Sequence, residues 1–217
     1  MLTLISGHTI GRRSSHLRVM RRSSGFIAGA ILMTTLLLTS VTYGTILTLG
    51  RTVPPFAWSI VCGLLIGLGI AVWAFYYRKT DGTTLWLPRS MASFLASRTK
   101  ATKSTGEAFS LGVASIVAEI LFILAPLAVA AFTLVSLDST QTLIGLALYI
   151  FTASMPLIVV GMMIGGGHKL SRIQKWREAN KRFLQFIAGS ALIVLGFYLY
   201  VEKVLYLTTL SSLGGVL

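Results

Sequence analysis

One acidic side chain lies inside a long apolar segment of this sequence, and it is the residue best placed to do chemistry. Glu119 comes about 12 residues into an apolar run over residues 107–135, which at about 1.5 Å per residue places it near the middle of a membrane-spanning helix. A carboxylate there costs about 2.5–3.5 kcal/mol on insertion scales, so it should face other helices or a cavity. Two interpretations follow: a proton- or cation-coupling group in a transport path, or a neutral acid bonded to a neighbouring hydroxyl or carbonyl group.

Hydroxyls and prolines in the neighbouring apolar runs are candidates to act with this carboxylate. Thr35, Thr39 and Thr42 share one face of a predicted helix, where they either line a polar path or join helices through hydrogen bonds. Pro126 and Pro156 each interrupt a predicted span. Proline removes one helical hydrogen bond, and such sites border either a binding site near the midplane or an ordinary kink.

Two further features carry weaker predictions. Gly165, Gly166, Gly167 and His168 close an apolar run and indicate either a gate or a simple helix end. Cys62 is the single cysteine, so an intramolecular disulfide and a Cys-rich metal site are excluded, and a redox role needs a partner thiol. The sequence contains no nucleophile–base set, phosphate loop or zinc motif, so we expect no enzyme activity, no metal and no cofactor.

The composition sets the class of protein. Hydrophobic residues make up 54% of the 217 residues and charged residues 12%, against roughly 25% charged in ordinary soluble domains. The net charge of +13 would suggest nucleic-acid binding in a soluble protein. Here the basic residues fall in the gaps between apolar runs, as in cytoplasmic loops, so we expect the lipid bilayer and no nucleic acid as the partner.

Five apolar runs predict an all-α, polytopic membrane helix bundle. The leader carries five Lys and Arg residues, and the loops over 78–106 and 165–182 carry six each. Only Arg51 and Lys203 lie elsewhere, so the positive-inside rule predicts a cytoplasmic N-terminus and an outside C-terminus in a prokaryotic plasma membrane. The predicted segments are a basic leader 1–25, spans 26–49, 55–77, 107–135, 142–164 and 183–207 in a single transmembrane domain over 26–207, and a short tail 208–217.

Local signals add a helix start and a possible repeat. Ser104 and Glu107 fit a capping box at the start of the third run, with Ser104 as the N-cap. The segment 65–69, Leu-Ile-Gly-Leu-Gly, is echoed at 192–196 by Leu-Ile-Val-Leu-Gly. The two segments lie in helices that cross in opposite directions, which is what an inverted repeat requires.

Four segments carry a family resemblance: Arg22-Ser-Ser-Gly-Phe-Ile-Ala-Gly29, Cys62-Gly-Leu-Leu-Ile-Gly-Leu-Gly69, Glu107-Ala-Phe-Ser-Leu-Gly112 and Phe183-Leu-Gln-Phe-Ile-Ala-Gly-Ser-Ala-Leu-Ile-Val-Leu-Gly196. Together they resemble the transmembrane region of the cytochrome c biogenesis (CcdA) and thiol:disulfide interchange (DsbD) family, in the superfamily that includes LysE-type exporters. The resemblance implies two inverted three-helix halves. The match begins at the family's second span, which leaves five spans and raises the question of an upstream first span.

The sequence departs from that family at its reactive residues. The family's redox members carry a Pro-Cys motif in the first span of each half. The second motif should lie within residues 112–126, which contain no cysteine. Because thiol–disulfide exchange needs a thiolate to attack a disulfide, a lone Cys62 cannot complete the cycle within one chain.

Three functions remain open from the sequence. The leading one is a transporter-like protein for a small solute or ion, with Glu119 as the coupling group. The second is an electron-relay relative of the cytochrome c biogenesis family that uses Cys62 and a partner thiol. The third is a non-catalytic subunit of a larger membrane complex. A homodimer or a partner protein is compatible with each of them, because five helices leave little room for a private pathway.

Overall fold

The computed structural model describes residues 15–76, 104–165, 175–176, 178–206 and 208–209, and every element among them is helical. Four of the helices are individually long and apolar enough to cross a membrane, and a fifth crossing is possible if one bent helix pair counts as a single span. The all-α prediction is therefore confirmed for the described residues, and the long apolar helices are compatible with a membrane helix bundle. The helices are α1 Ser15–Leu49, α2 Pro55–Tyr76, α3 Thr105–Ala118, α4 Ile120–Val135, α5 Ser139–Gly165 and α6 Lys181–Leu199, which continues as a π-helix over Tyr200–Leu205.

Two stretches differ from the predicted spans. Helix α1 begins at Ser15, within the basic leader, so the first helix extends beyond its apolar run. The predicted third span over 107–135 is not one helix: α3 ends at Ala118, α4 begins at Ile120, and the two are bent by 78°. The basic loops over 78–103 and 166–174 lie outside the described residues.

Short-range chemistry explains how the helices begin and end. Gly50 adopts φ 77°, a conformation that favours glycine, and its N–H donates to the Ile46 carbonyl to close α1. Pro55 then opens α2 at a position where a missing N–H costs nothing. At α3, the Glu107 N–H donates to Ser104 Oγ over 3.1 Å, and the Ser104 N–H donates to the Glu107 carboxylate over 3.2 Å. The predicted capping box is confirmed.

The chain divides into two compact units. The first contains Met1–Leu37, Thr83–Leu121 and Leu143–Glu178, and the second contains Leu38–Gly82, Phe122–Thr142 and Ala179–Leu217. The α3–α4 junction at Glu119 falls within the first unit.

Glycines bring α1 and α3 into backbone contact in the first unit. A Cβ on Gly25 would lie 2.8 Å from the Thr105 carbonyl oxygen, and a Cβ on Gly29 would meet the Phe109 carbonyl. Positions advance together along both helices, so α1 and α3 run parallel at this contact. Small residues allow such close approach in membrane proteins, where van der Waals packing drives helix association.

Gly112 of α3 approaches the backbone of α1 equally closely. A Cβ on Gly112 would meet the Phe26 carbonyl and would lie 2.9 Å from the Ala30 backbone nitrogen. Phe26 and Ala30 are themselves buried, at 2% and 1% exposure. At Gly29 and Gly112 the atoms that a Cβ would meet are all backbone atoms, so no flexible side chain could yield there.

In the second unit, α2 and α6 pack antiparallel along their length. A Cβ on Gly69 would lie 2.8 Å from the Gly189 carbonyl, and a Cβ on Gly196 would lie 3.2 Å from the Cys62 carbonyl. At one end of the contact, Trp73 stacks on Phe186 with ring centroids 5.6 Å apart and donates Nε1–H to the Phe186 carbonyl over 3.3 Å. Backbone approach and this aromatic pair together fix the register of the two helices.

The α2–α6 contact has a local two-fold character. A Cβ on Gly69 would lie 2.6 Å from the Ile193 side chain, and a Cβ on Gly196 would lie 2.7 Å from the Ile66 side chain. The contacts of Gly69 with α6 are repeated by the contacts of Gly196 with α2. A two-fold axis between two antiparallel helices relates contacts in this way. The pairs that the axis exchanges are Cys62 with Gly189, Ile66 with Ile193, and Gly69 with Gly196.

The core of the second unit surrounds this contact. Cys62 and Leu65 are fully buried there, and Trp58 meets Phe132 of α4 edge-on with ring centroids 5.3 Å apart. Aromatic pairs of this geometry add about 0.5–1.5 kcal/mol beyond area burial. Helix α4 is thus held against α2 by side-chain packing, downstream of the break at Glu119.

Candidate functional site

The candidate site is the junction between α3 and α4. Glu119 caps α3 with φ −92° and ψ 5°, and its N–H donates to the carbonyls of Ser115 over 3.2 Å and Ile116 over 3.1 Å. Ile120 starts the next helix. Because a helix leaves its last four carbonyls and first four N–H groups without intrahelical partners, the junction concentrates backbone dipoles beside a carboxylate.

The Glu119 side chain is exposed on the surface of the chain, among apolar neighbours. Val117, Ile120 and Leu121 beside it are 37%, 36% and 68% exposed. Within the described part of the chain, the Glu119 carboxylate makes no hydrogen bond or ion pair. The second sequence interpretation, a neutral acid bonded to a hydroxyl or carbonyl group, thus finds no partner among these residues.

The chemistry available at the junction is reversible binding of a cation or proton. The carboxylate and the negative end of α3 attract positive charge, which the positive end of α4 partly opposes, and transporters place ion sites at such broken helices. No group of three or more His, Cys, Asp or Glu residues that could hold a metal ion occurs in the described ranges.

The first-span hydroxyls are engaged within α1. Thr35 Oγ1 donates to the Ile31 carbonyl over 2.8 Å, and Thr42 Oγ1 donates to the Leu38 carbonyl over 2.7 Å. Thr39 is exposed and also has a bonding partner. Each hydroxyl that donates to its own helix keeps its oxygen lone pairs as acceptors. The role of these threonines beside Glu119 stays a prediction.

The two prolines predicted to interrupt spans lie within continuous helices, the position that an ordinary kink requires. Pro126 lies inside α4 and Pro156 inside α5, and neither helix ends at its proline. A proline removes only one helical hydrogen bond, which the rest of the helix and its neighbours can offset. The break in the third apolar run falls instead at Glu119, a residue with no intrinsic helix-breaking chemistry.

The predicted gate is only partly described. Gly165 is the last residue of α5. Gly166, Gly167 and His168 lie outside the described residues.

Cys62 is fully buried in the core of the second unit, which contains residues of α2, α4 and α6. An attacking thiol must reach the sulfur for disulfide exchange, so a redox role would require this core to open. The burial weighs against the electron-relay alternative.

One ion pair was missed by the sequence analysis. The Lys203 ammonium lies 3.0 Å from the Glu202 carboxylate. The pair occupies the π-helix at the end of α6, a distortion often found at functional sites. Two adjacent opposite charges inside the last apolar run were the available signal.

No family model, no curated protein and no solved structure matches the chain.

Proposed function

We propose that this chain is a transporter-like membrane protein for a small solute or ion, with Glu119 as its coupling group. The observation that carries the proposal is a carboxylate with no hydrogen bond or ion pair among the described residues, at the junction of two half-helices inside an apolar segment. Intramembrane ionisable groups are rare and usually lie on ion or substrate pathways. Thr35 and Pro156, which belong to the same unit as Glu119, are its candidate companions.

Helix directions support five crossings that alternate in direction, whereas the cytoplasmic placement of the N-terminus rests on the charge pattern alone. The parallel α1–α3 contact and the antiparallel α2–α6 contact are the relations that the charge pattern requires. Near the end of α5, Gly161 faces the Ile27 side chain early in α1. Because the end of α5 lies beside the start of α1, α5 runs antiparallel to α1. If α5 crosses the membrane, it begins on the side opposite to the start of α1, so the α3–α4 pair before it has also crossed.

The bend at Glu119 is compatible with a crossing. Helix α3 has 14 residues and α4 has 16, about 21 and 24 Å of helix, so neither alone spans the roughly 30 Å hydrocarbon core. With a 78° bend, each half tilted by half of that angle would give a combined rise of about 35 Å. A 78° bend between two tilted halves fits a re-entrant loop equally well, and the accessibility of the two ends from either side of the membrane distinguishes the two arrangements.

An inverted-repeat architecture of the CcdA/LysE type is part of the proposal. Its support is the local two-fold contact between α2 and α6, formed by the two echoing segments. The break at Glu119 also falls within residues 112–126, where the resemblance places the second reactive motif of the family. A carboxylate there, in place of a cysteine, favours ion coupling over thiol chemistry.

Transport can be tested with the full chain in proteoliposomes on a solid-supported membrane, against a panel of amino acids, organic acids, thiols and cations. We expect at least one compound to give a transient current, and Glu119→Gln to reduce it by about tenfold or more, since coupling energies of 1–3 kcal/mol correspond to 5–150-fold. Glu107→Gln is the matched control, because glutamine also completes a capping box. Equal currents from Glu119→Gln and wild type would exclude the coupling role.

A second candidate function, a subunit of a larger membrane complex, is favoured by α5. Only 6% of the most apolar stretch of α5 is buried within the chain, against 33% for α2. Native mass spectrometry of the complex extracted gently from its own membrane would record its stoichiometry. A homo-oligomer alone is the result expected for a self-contained transporter, whereas a defined hetero-complex would assign the function to the assembly.

A further inference from the structure

The surroundings of Glu119 restrict which ion it can bind. The residues on both sides, from Ile116 to Leu124, are apolar apart from Glu119 itself. They therefore supply no side-chain oxygen or nitrogen beside the carboxylate. Other described titratable groups in the same unit make no hydrogen bond or ion pair with it. These groups are Arg21, Arg22, Glu107, Tyr149, Lys175 and Glu178.

A metal cation and a proton make different demands on such a site. A dehydrated metal cation must replace its water shell with a ring of several oxygen ligands. At the junction, two of the last carbonyls of α3, those of Ser115 and Ile116, already accept the Glu119 N–H. A proton needs one carboxyl oxygen and converts an unpaired charge in an apolar setting into a neutral group, which removes the cost of burying that charge.

We infer that Glu119 is a proton-binding site exposed at the surface of the chain, so that the coupling ion is H⁺ rather than Na⁺. The coupling role of the proton rests on the proposed function, whereas the proton-binding site itself does not. In each cycle the carboxyl group takes up one proton from one side and releases it to the other. The side chain is neutral while it faces the apolar phase and ionised only when water reaches the junction.

Dicyclohexylcarbodiimide, an apolar reagent that adds to protonated carboxyl groups within membranes, provides the test. The wild-type chain in liposomes is treated over a range of pH and the modified peptides are identified by mass spectrometry. We expect labelling at Glu119, with a rate that falls about tenfold per pH unit above its midpoint, as for any single-proton titration. Glu107 and Glu202 are internal controls: one is held in a capping box and the other is paired with Lys203.

Two results would overturn the inference. The first is protection of Glu119 by NaCl relative to choline chloride at equal ionic strength, which would identify a Na⁺ site. The second is the absence of labelling at every pH together with the absence of a protonated-carboxyl infrared band that disappears in Glu119→Gln. The infrared measurement does not depend on reagent access. If Glu119 is labelled but the Glu119→Gln variant transports as well as wild type, the proton site is supported and the proposed coupling role is excluded.

Discussion

Replacing Gly112 by alanine is expected to destabilise the folded chain by about 1–3 kcal/mol, the usual cost of forcing a methyl group into a packed contact. The new Cβ would meet the Phe26 carbonyl and crowd the Ala30 nitrogen. Both are backbone atoms of α1, so relief requires the two helices to separate. Gly29→Ala, on the facing helix, should have a similar effect, because its Cβ would meet the Phe109 carbonyl.

Gly67→Ala is the matched control for this prediction. Gly67 also lies within a membrane helix, but no atom lies within 4 Å of the position of its Cβ. Alanine there should be neutral or stabilising by up to about 0.5–1 kcal/mol, the usual advantage of alanine over glycine in a helix. Thermal unfolding in detergent measures all three variants. Equal stabilities of Gly112→Ala and Gly67→Ala would show that the α1–α3 contact is not as close as described.

Glu119→Leu is expected to favour membrane insertion of the α3–α4 segment by about 3 kcal/mol while abolishing transport. Acidic residues near a span centre cost about 2.5–3.5 kcal/mol on insertion scales, whereas leucine gains about 0.5 kcal/mol. No hydrogen bond or ion pair of the Glu119 side chain within the described residues would be lost. Insertion of segment 105–135 in a host membrane protein, scored by glycosylation, measures the first effect.

The opposite outcome would identify a structural role. If the Glu119 side chain holds the junction together, Glu119→Leu should lower the unfolding temperature of the full chain, and Glu119→Gln should largely restore it. A chain that becomes more stable with leucine and loses transport with both substitutions is what a functional carboxylate predicts, since functional sites often reduce stability.

Most of the helices were predictable because their signals are local. The apolar runs located α1, α2, α5 and α6. Gly50 marked the turn after α1, and Ser104 with Glu107 marked the start of α3. Each of these signals acts through residues within one turn of helix or through burial in lipid, so one sequence suffices to detect it.

The break at the candidate site was not predictable from local chemistry. Glu119 was singled out by its charge, yet the sequence around it, Val-Ala-Glu-Ile-Leu, contains no glycine or proline. Pro126 and Pro156, the residues expected to kink helices or border a site, lie inside helices that continue past them. Contacts distant in sequence accompany the break: α3 packs on α1 through Gly112, and α4 packs on α2 through Phe132.

The most direct test of the account is whether α3 and α4 together cross the membrane, because a mid-membrane Glu119 depends on it. In a Cys62→Ala background, single cysteines at Gly106, where the Cβ position is open, and at the exposed Ser136 between α4 and α5 would be treated with a membrane-impermeant maleimide on intact cells. The account predicts that Ser136→Cys reacts from outside and that Gly106→Cys reacts only after permeabilisation. Labelling of both positions from the same side would contradict it.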